Sequence, residues 1–312
     1  GRKGFFGPVS HLIKENPSTR WTEIQGPLRP HLYDFVRLSK NNFKSHIQFN
    51  SNITLQWHRL FYNSDVAIHF WKTEKNFDES KKQFIINKDL ISFRNADAET
   101  LYFCHAGVGQ IITEYGLLEF RKGSYIIIPK CVGHTFVNFQ DSEFLVVESK
   151  SGLYEEPTRG MVGRNAFYDL AAIGKPDLEK WNHLRKSSGA EVLNIQVKRL
   201  DEMTVFKYAT CVYDTVGWKG DFFPFTLHVD NLMPMLSHRV HLPPSAHTTF
   251  VANGFVVCTF LPRPLESDKD ALKVPFYHQN IDYDEVLFYH DGNFFSRDNL
   301  HAGMATLHPA GF

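Results

Sequence analysis

Short apolar runs, each closed by a glycine or another turn residue, constrain this chain more than any other feature. From residue 99 to residue 148 the sequence runs ETLYFCHAGVG, QIITEYG, LLEFRKG, SYIIIPKCVGHTFVNF and EFLVVES. Turn signals at roughly 8–12-residue spacing are what a sandwich or barrel of short strands requires. Elsewhere the apolar period is two. Ile53-Thr-Leu55-Gln-Trp57 and Val66-Ala-Ile68-His-Phe70 alternate as half-buried strands do. The aromatic load of 28 Phe, 12 Tyr and 5 Trp agrees, because large flat side chains pack well on a pleated surface. Only residues 177–186 (DLEKWNHLRK) carry a convincing helical pattern. The chain is therefore expected to be all-β with few short helices. Residues 1–40, with Pro8, Pro17, Pro27 and Pro30, predict an irregular arm on a folded body.

A chain of 312 residues is expected to form about two domains. The boundary is expected within residues 149–174, which hold Gly152, Pro157, Gly160, Gly163 and Gly174. That divides the chain into residues 1–165 and 166–312. Lys plus Arg and Asp plus Glu balance at 34 each, so the net charge is zero. A partner held by phosphate neutralisation needs a basic excess, and no nucleic-acid binding is expected. The longest apolar stretches, GFVVCTFL from Gly254 and YIII from Tyr125, fall short of the ~20 residues that span a bilayer. No membrane association is expected, and no signal peptide is visible, although the chain starts at Gly1 without Met. Cys104, Cys131, Cys211 and Cys258 form no CxxC pair and are expected to be reduced thiols in a cytoplasmic protein. The 16 His are the most telling count, because His supplies metal ligands and proton carriers near neutral pH.

Two stretches share a pattern. Gly123-Ser-Tyr-Ile-Ile-Ile-Pro129-Lys-Cys131-Val-Gly-His134-Thr-Phe-Val-Asn138 and Gly303-Met-Ala-Thr-Leu-His308-Pro309-Ala-Gly311-Phe312 both place Pro six residues after Gly. Both resemble the second motif of the cupin family, G-x5-P-x-G-x2-H-x3-N. Cys131 replaces the second Gly in the first copy. In the second copy the motif His falls two positions beyond Phe312. His278, Glu285 and Gly292 fit the first cupin motif, H-x-H-x3–4-E-x6-G, with Asn280 in place of the second His. The corresponding upstream positions are Asn95, Asp97 and Tyr102. The resemblance implies a bicupin of two jelly-roll β-sandwich or barrel domains. The N-terminal domain would keep His134 as a relic of a degenerate metal site. The C-terminal one would hold a metal on His278, Glu285 and the His beyond Phe312. Two His and one carboxylate leave open coordination positions and suit non-haem Fe(II) oxygen chemistry.

The second half also resembles homogentisate 1,2-dioxygenases, especially the bacterial branch. The stretches concerned are Val216-Gly-Trp-Lys-Gly-Asp-Phe-Phe-Pro-Phe225, His238-Arg-Val-His241-Leu-Pro-Pro-Ser245, Tyr277-His278-Gln-Asn280 and Tyr283-Asp-Glu285. In the first half Phe93-Arg-Asn-Ala-Asp97, Thr113-Glu-Tyr-Gly116 and Gly160-Met-Val-Gly163 look like comparable segments of that family. The resemblance implies Fe(II) as cofactor, O2 and a small aromatic substrate as partners, and a homo-oligomer. His278 and Glu285 match iron ligands, with one residue more between them than in the animal enzymes. His241 matches a general base in an H-x-x-P-S segment, and His308 matches a pocket histidine. Tyr283 and His247 are further candidates for substrate contact. A substrate-contacting Tyr of the animal enzymes falls near Phe294.

The competing reading of His241, weighed below the base, is a turn histidine beside two prolines. His247 competes with it as the base, His238 competes less well, and His290 and His301 look like loop or supporting histidines. The leading expectation is a ring-cleaving dioxygenase that converts homogentisate to maleylacetoacetate in tyrosine and phenylalanine catabolism. A cupin dioxygenase or isomerase on another small molecule is one alternative, and a non-catalytic bicupin is the other.

Overall fold

A computed structural model of the chain describes residues 8, 10–40, 57–81, 83–84, 89–273, 276–294 and 297–312. The expected alternating strand over residues 53–57 lies outside them apart from Trp57. Its neighbour forms, as strand Val66–Thr73. Among the described residues strands greatly outnumber helices, and the fold is all-β.

Contacts group the chain into two units: Phe43–Leu232 with Phe250–Phe255, and Gly1–Asn42 with Met233–Thr249 and Val256–Phe312. The larger unit is a sandwich of two six-stranded sheets. One sheet runs in the order Phe225–His228, Ser124–Ile128, Glu99–Ala106, Ser142–Ser149, Val66–Thr73 and His58–Tyr62, with every neighbour antiparallel. The other runs Glu202–Lys207, Glu191–Arg199, Asp89–Asn95, His134–Asn138, Val108–Thr113 and Gly116–Arg121. Its one parallel pair joins Glu191–Arg199 to Asp89–Asn95. Trp71, Tyr102 and Phe144 from the first sheet pack against Phe93, Ile111 and Phe136 from the second in a buried aromatic core. The strands over 191–207 and 225–228, which sequence alone groups with residues 166–312, thus belong to the sheets of this unit.

A buried ion cluster bridges the same two sheets. Lys198 Nζ lies 2.8 Å from Glu148 Oε1, and His69 Nε2 lies 2.8 Å from Glu148 Oε2. Asn95 Nδ2 donates to Glu148 Oε1 at 2.7 Å. Burial pushes the Glu148 carboxyl up, but the hydrogen bond from His69 and the charge of Lys198 outweigh it and hold it well below 4.5. Burial lowers the His69 pKa, so we assign a neutral imidazole beside an ionised Glu148–Lys198 pair.

The expected helix forms as Leu178–Ser188. Asp177 caps its start by accepting from Lys180 N, and Gly189 ends it at φ +65°. No described helix is long and apolar enough to cross a membrane.

The smaller unit is built on a three-stranded antiparallel sheet of His31–Asp34, Met304–His308 and Glu285–Tyr289. The described part of the N-terminal arm is irregular before residue 31, as its prolines predict. Its last residues do more than lie on a surface. His31–Asp34 adds an edge strand, and Phe35 is fully buried against Phe288, with ring centroids 4.9 Å apart. Sequence alone placed the arm with residues 1–165, whereas its contacts fall in this unit.

The duplicated motif is visible in backbone detail. Gly123 and Gly303 both sit at φ +89° immediately before a five-residue strand, a conformation that favours glycine. After each strand the Pro carbonyl accepts from the residue three further on, at 3.1 Å in both copies: Val132 N to Pro129 O, and Phe312 N to Pro309 O. Cys131 and Gly311 occupy the same place in these turns, at φ +66° and +84°.

Candidate active site

Glu285 begins strand Glu285–Tyr289 and lies directly opposite His308, with Leu287 opposite Thr306 and Tyr289 opposite Met304. The strand period of two puts all six on one face of the pair. His308 Nδ1 donates to Glu285 Oε2 at 3.0 Å, and Arg297 donates to His308 Nε2 at 2.9 Å. A guanidinium has donors only, so the His308 proton is on Nδ1 and both ring nitrogens are engaged. Burial pushes the Glu285 carboxyl up, but the His308 hydrogen bond and the nearby His278 and Arg297 outweigh it and hold it below 4.5. Among the described residues its second oxygen, Oε1, meets only the Asn280 amide, at 3.5 Å.

His278 is exposed, and its Nδ1 donates to the carbonyl of Phe276 at 3.1 Å. The lone pair is then on Nε2. Metal-binding imidazoles are commonly set in this way, by a backbone carbonyl on the other nitrogen. His278 and an ionised Glu285 therefore fit a hard or borderline divalent cation as two donors. No group of three or more His, Cys, Asp or Glu arranged around one metal position occurs among the described residues.

His241 follows the Ser237–Val240 bend, where the Ser237 hydroxyl accepts from the backbone N–H groups of Arg239 and Val240. Its Nδ1 donates to Glu266 Oε1 at 3.0 Å. The ring also packs edge-on against Phe276, 5.4 Å between centroids, and Phe276 lies 5.2 Å from the His278 ring. One aromatic side chain thus touches both His241 and His278. His247 is buried against Phe260 at 5.1 Å, and burial, with Arg263 and His241 adding to it, pushes its pKa down to about 4. Burial, with Glu285 adding to it, pushes Tyr283 up to about 12, so its hydroxyl stays protonated. Phe294 packs edge-on against Tyr289, with centroids 4.9 Å apart.

Glu266, Phe276, Tyr289, Arg297 and Thr306 escape a sequence reading. Glu266 sits in a loop with no motif around it. Tyr289 and Thr306 look like ordinary strand residues. They share the Glu285 face, and their hydroxyl oxygens are buried with no hydrogen-bond partner among the described residues. His238 is exposed, and its carbonyl accepts from Ser267 N and Asp268 N. His301 lies 3.4 Å from Asp34, near the surface.

The larger unit shows what the same frame looks like without the carboxylate. Thr100 lies opposite Ile128 as Glu285 lies opposite His308, each partner five residues after the motif glycine. The place of Glu285 is therefore taken by Thr100, not by Tyr102, which pairs two residues further along. His134 is buried and pushed down to about 4 by that burial; its Nε2 meets Tyr102 OH at 2.7 Å and its Nδ1 the Val132 carbonyl at 3.2 Å.

The sequence model described as homogentisate 1,2-dioxygenase N-terminal matches residues 59–229, more than half of the chain. The chain belongs to the homogentisate 1,2-dioxygenase family. The matched residues lie within the larger unit. A protein of Saccharolobus solfataricus named as a candidate dioxygenase is 29% identical over 321 aligned residues, covering all of this chain and 78% of that protein. The homogentisate 1,2-dioxygenase of Drosophila melanogaster is 24% identical over 251 residues, 78% of this chain and 53% of that enzyme. The chain spans about half the length of the homogentisate 1,2-dioxygenases it matches. Among solved structures, a cupin 2 conserved barrel domain protein from Leptotrichia buccalis overlaps 42% of this chain and 60% of that one, at 12% identity and a TM-score of 0.28.

Proposed function

We propose that this dioxygenase-family chain carries the active site of an Fe(II)-dependent enzyme that opens the aromatic ring of homogentisate. The product is maleylacetoacetate, an intermediate of tyrosine and phenylalanine catabolism, and the enzyme works as a cytoplasmic homo-oligomer. The observation that carries the reading is an ionised Glu285 with His278 near enough to help hold its carboxyl down, the His278 ring being set by the Phe276 carbonyl so that the lone pair is on Nε2. His278 and Glu285 would hold the iron as two of its protein donors. The chemistry such an iron would supply is redox coupling between O2 and an electron-rich phenolic ring. Both oxygen atoms enter the product, so no external reductant is consumed.

The chain's own residues account for the rest. His308 and Arg297 hold the Glu285 carboxylate in one orientation and keep it ionised. His241 takes the proton of a substrate hydroxyl on Nε2, because Nδ1 is committed to Glu266. Tyr283, kept protonated, can donate to a substrate oxygen, and His247 and Phe294 contribute to the wall of the pocket. Phe294 also favours a second substrate reading, a related hydroxylated aromatic such as gentisate, since it brings no hydroxyl where the animal enzymes place a Tyr.

His278→Ala and Glu285→Gln are each expected to abolish iron loading, measured by elemental analysis, because three protein ligands leave none to spare. Full occupancy in either variant removes that residue from the ligand set. His241→Ala should keep iron and lose ~10²–10⁴-fold in kcat. Normal turnover in His241→Ala together with loss in His247→Ala would move the base to His247.

A further inference from the structure

We propose that Glu266 is a positioning residue that fixes the tautomer and orientation of His241; this rests on the assignment of His241 as the base. Glu266 Oε1 accepts from His241 Nδ1 at 3.0 Å, across 25 residues of sequence. A carboxylate can only accept, so the bond requires the proton on Nδ1 and leaves the lone pair on Nε2. Phe276 meets the ring edge-on at 87°, so the imidazole is held by a hydrogen bond and by an aromatic wall.

The Glu266 side chain is 8% exposed, and its second oxygen, Oε2, is buried with no partner among the described residues. A carboxylate serving as scaffold would have both oxygens tied into the surrounding loops. Among the described residues the His241 imidazole is the side chain that Glu266 is hydrogen-bonded to. A hydrogen bond from its own backbone N–H, with His241 and Arg263 adding, holds it below 4.5, so it is ionised at neutral pH. The charged and titratable groups in reach of the pair are Arg263 and His247, and burial keeps His247 neutral.

The chemical step needs only one proton transfer. The substrate O–H bond breaks, the electron pair stays on the phenolate oxygen, and an N–H bond forms at Nε2. The imidazolium produced lies beside the Glu266 carboxylate, which stabilises it without itself taking a proton.

The test uses the iron-loaded, full-length protein with Glu266→Gln and Glu266→Ala. Gln keeps an acceptor for Nδ1–H and loses the charge, whereas Ala loses both. The ring ¹⁵N resonances of His241, assigned by their loss in His241→Ala, should show the Nδ1–H tautomer in the parent and in Glu266→Gln. In Glu266→Ala they should show a mixture. With homogentisate, kcat should fall about tenfold in Glu266→Gln and on the order of 10²-fold in Glu266→Ala, with KM and iron content unchanged. A mixed tautomer in the parent, or parental kcat in Glu266→Ala while His241→Ala is inactive, overturns the proposal and leaves the base assignment standing. Normal turnover in His241→Ala overturns the base assignment, and the role of Glu266 with it.

Discussion

Cys131 takes, at φ +66°, the turn position that Gly311 takes at φ +84°. Every L side chain is disfavoured in that region by roughly 1–2 kcal/mol, and glycine is not. Cys131 is also exposed, so replacing it removes no packing. Cys131→Gly is therefore expected to raise stability by up to about 1 kcal/mol, after the entropy that glycine adds to the unfolded chain. A urea midpoint that stays put or falls contradicts this. Glu99 is a second residue under strain. It is 5% exposed, and burial raises its pKa from 4.5 to about 7 despite a hydrogen bond from Tyr154 N. Its folded pKa lies above its unfolded one, so its contribution to stability is complete below 4.5 and is lost as pH rises through about 7. Glu99→Gln keeps an acceptor for Tyr154 N and cannot ionise. The Tm of the variant relative to the parent should climb between pH 4.5 and pH 7 and level off above; a difference independent of pH rules this out. The Gly and Pro positions of the motif turns were legible in the sequence because one residue type fits one backbone conformation. Glu266 was not, because a loop carboxylate 25 residues from its partner has no period or spacing to announce it.

At the scale of elements, Lys198 and Glu148 tie the two sheets of the larger unit together within a buried polar cluster that also holds His69 and Asn95. Removing one partner of such a pair strands the other charge in the interior, which costs about 3–5 kcal/mol. Lys198→Met should destabilise by that order, and Lys198→Met combined with Glu148→Gln by less than the two single changes added together. Additivity in that double-mutant cycle would show that the pair is not coupled. The strands themselves were legible from alternation and glycine-bounded runs. Register was less so. Counting from Asn95 puts Tyr102 near the place of the carboxylate, whereas pairing with Ser124–Ile128 puts Thr100 there. Loop length before a strand shifts a linear count, and only cross-strand partners fix which residue faces which. The same limit hid the edge strand His31–Asp34, whose partner lies some 270 residues away and whose own sequence is too short to show a period.

At the scale of the molecule, the family was legible because its motifs sit at turns and strand starts, where backbone geometry restricts the residue. The grouping of residues 166–232 was not, since a glycine-rich segment looks like a linker whether the chain then leaves a sandwich or adds strands to it. The central claim is that His278 and Glu285 serve an iron site that spends O2 on a hydroxylated aromatic ring. The most direct measurement is oxygen uptake by the iron-loaded, full-length protein on adding homogentisate, with gentisate and Glu285→Gln run beside it. We expect one O2 consumed per homogentisate lost, little uptake with gentisate, and none in Glu285→Gln. Uptake with gentisate alone would move the substrate while keeping the site, and equal uptake by Glu285→Gln and the parent would contradict the site itself.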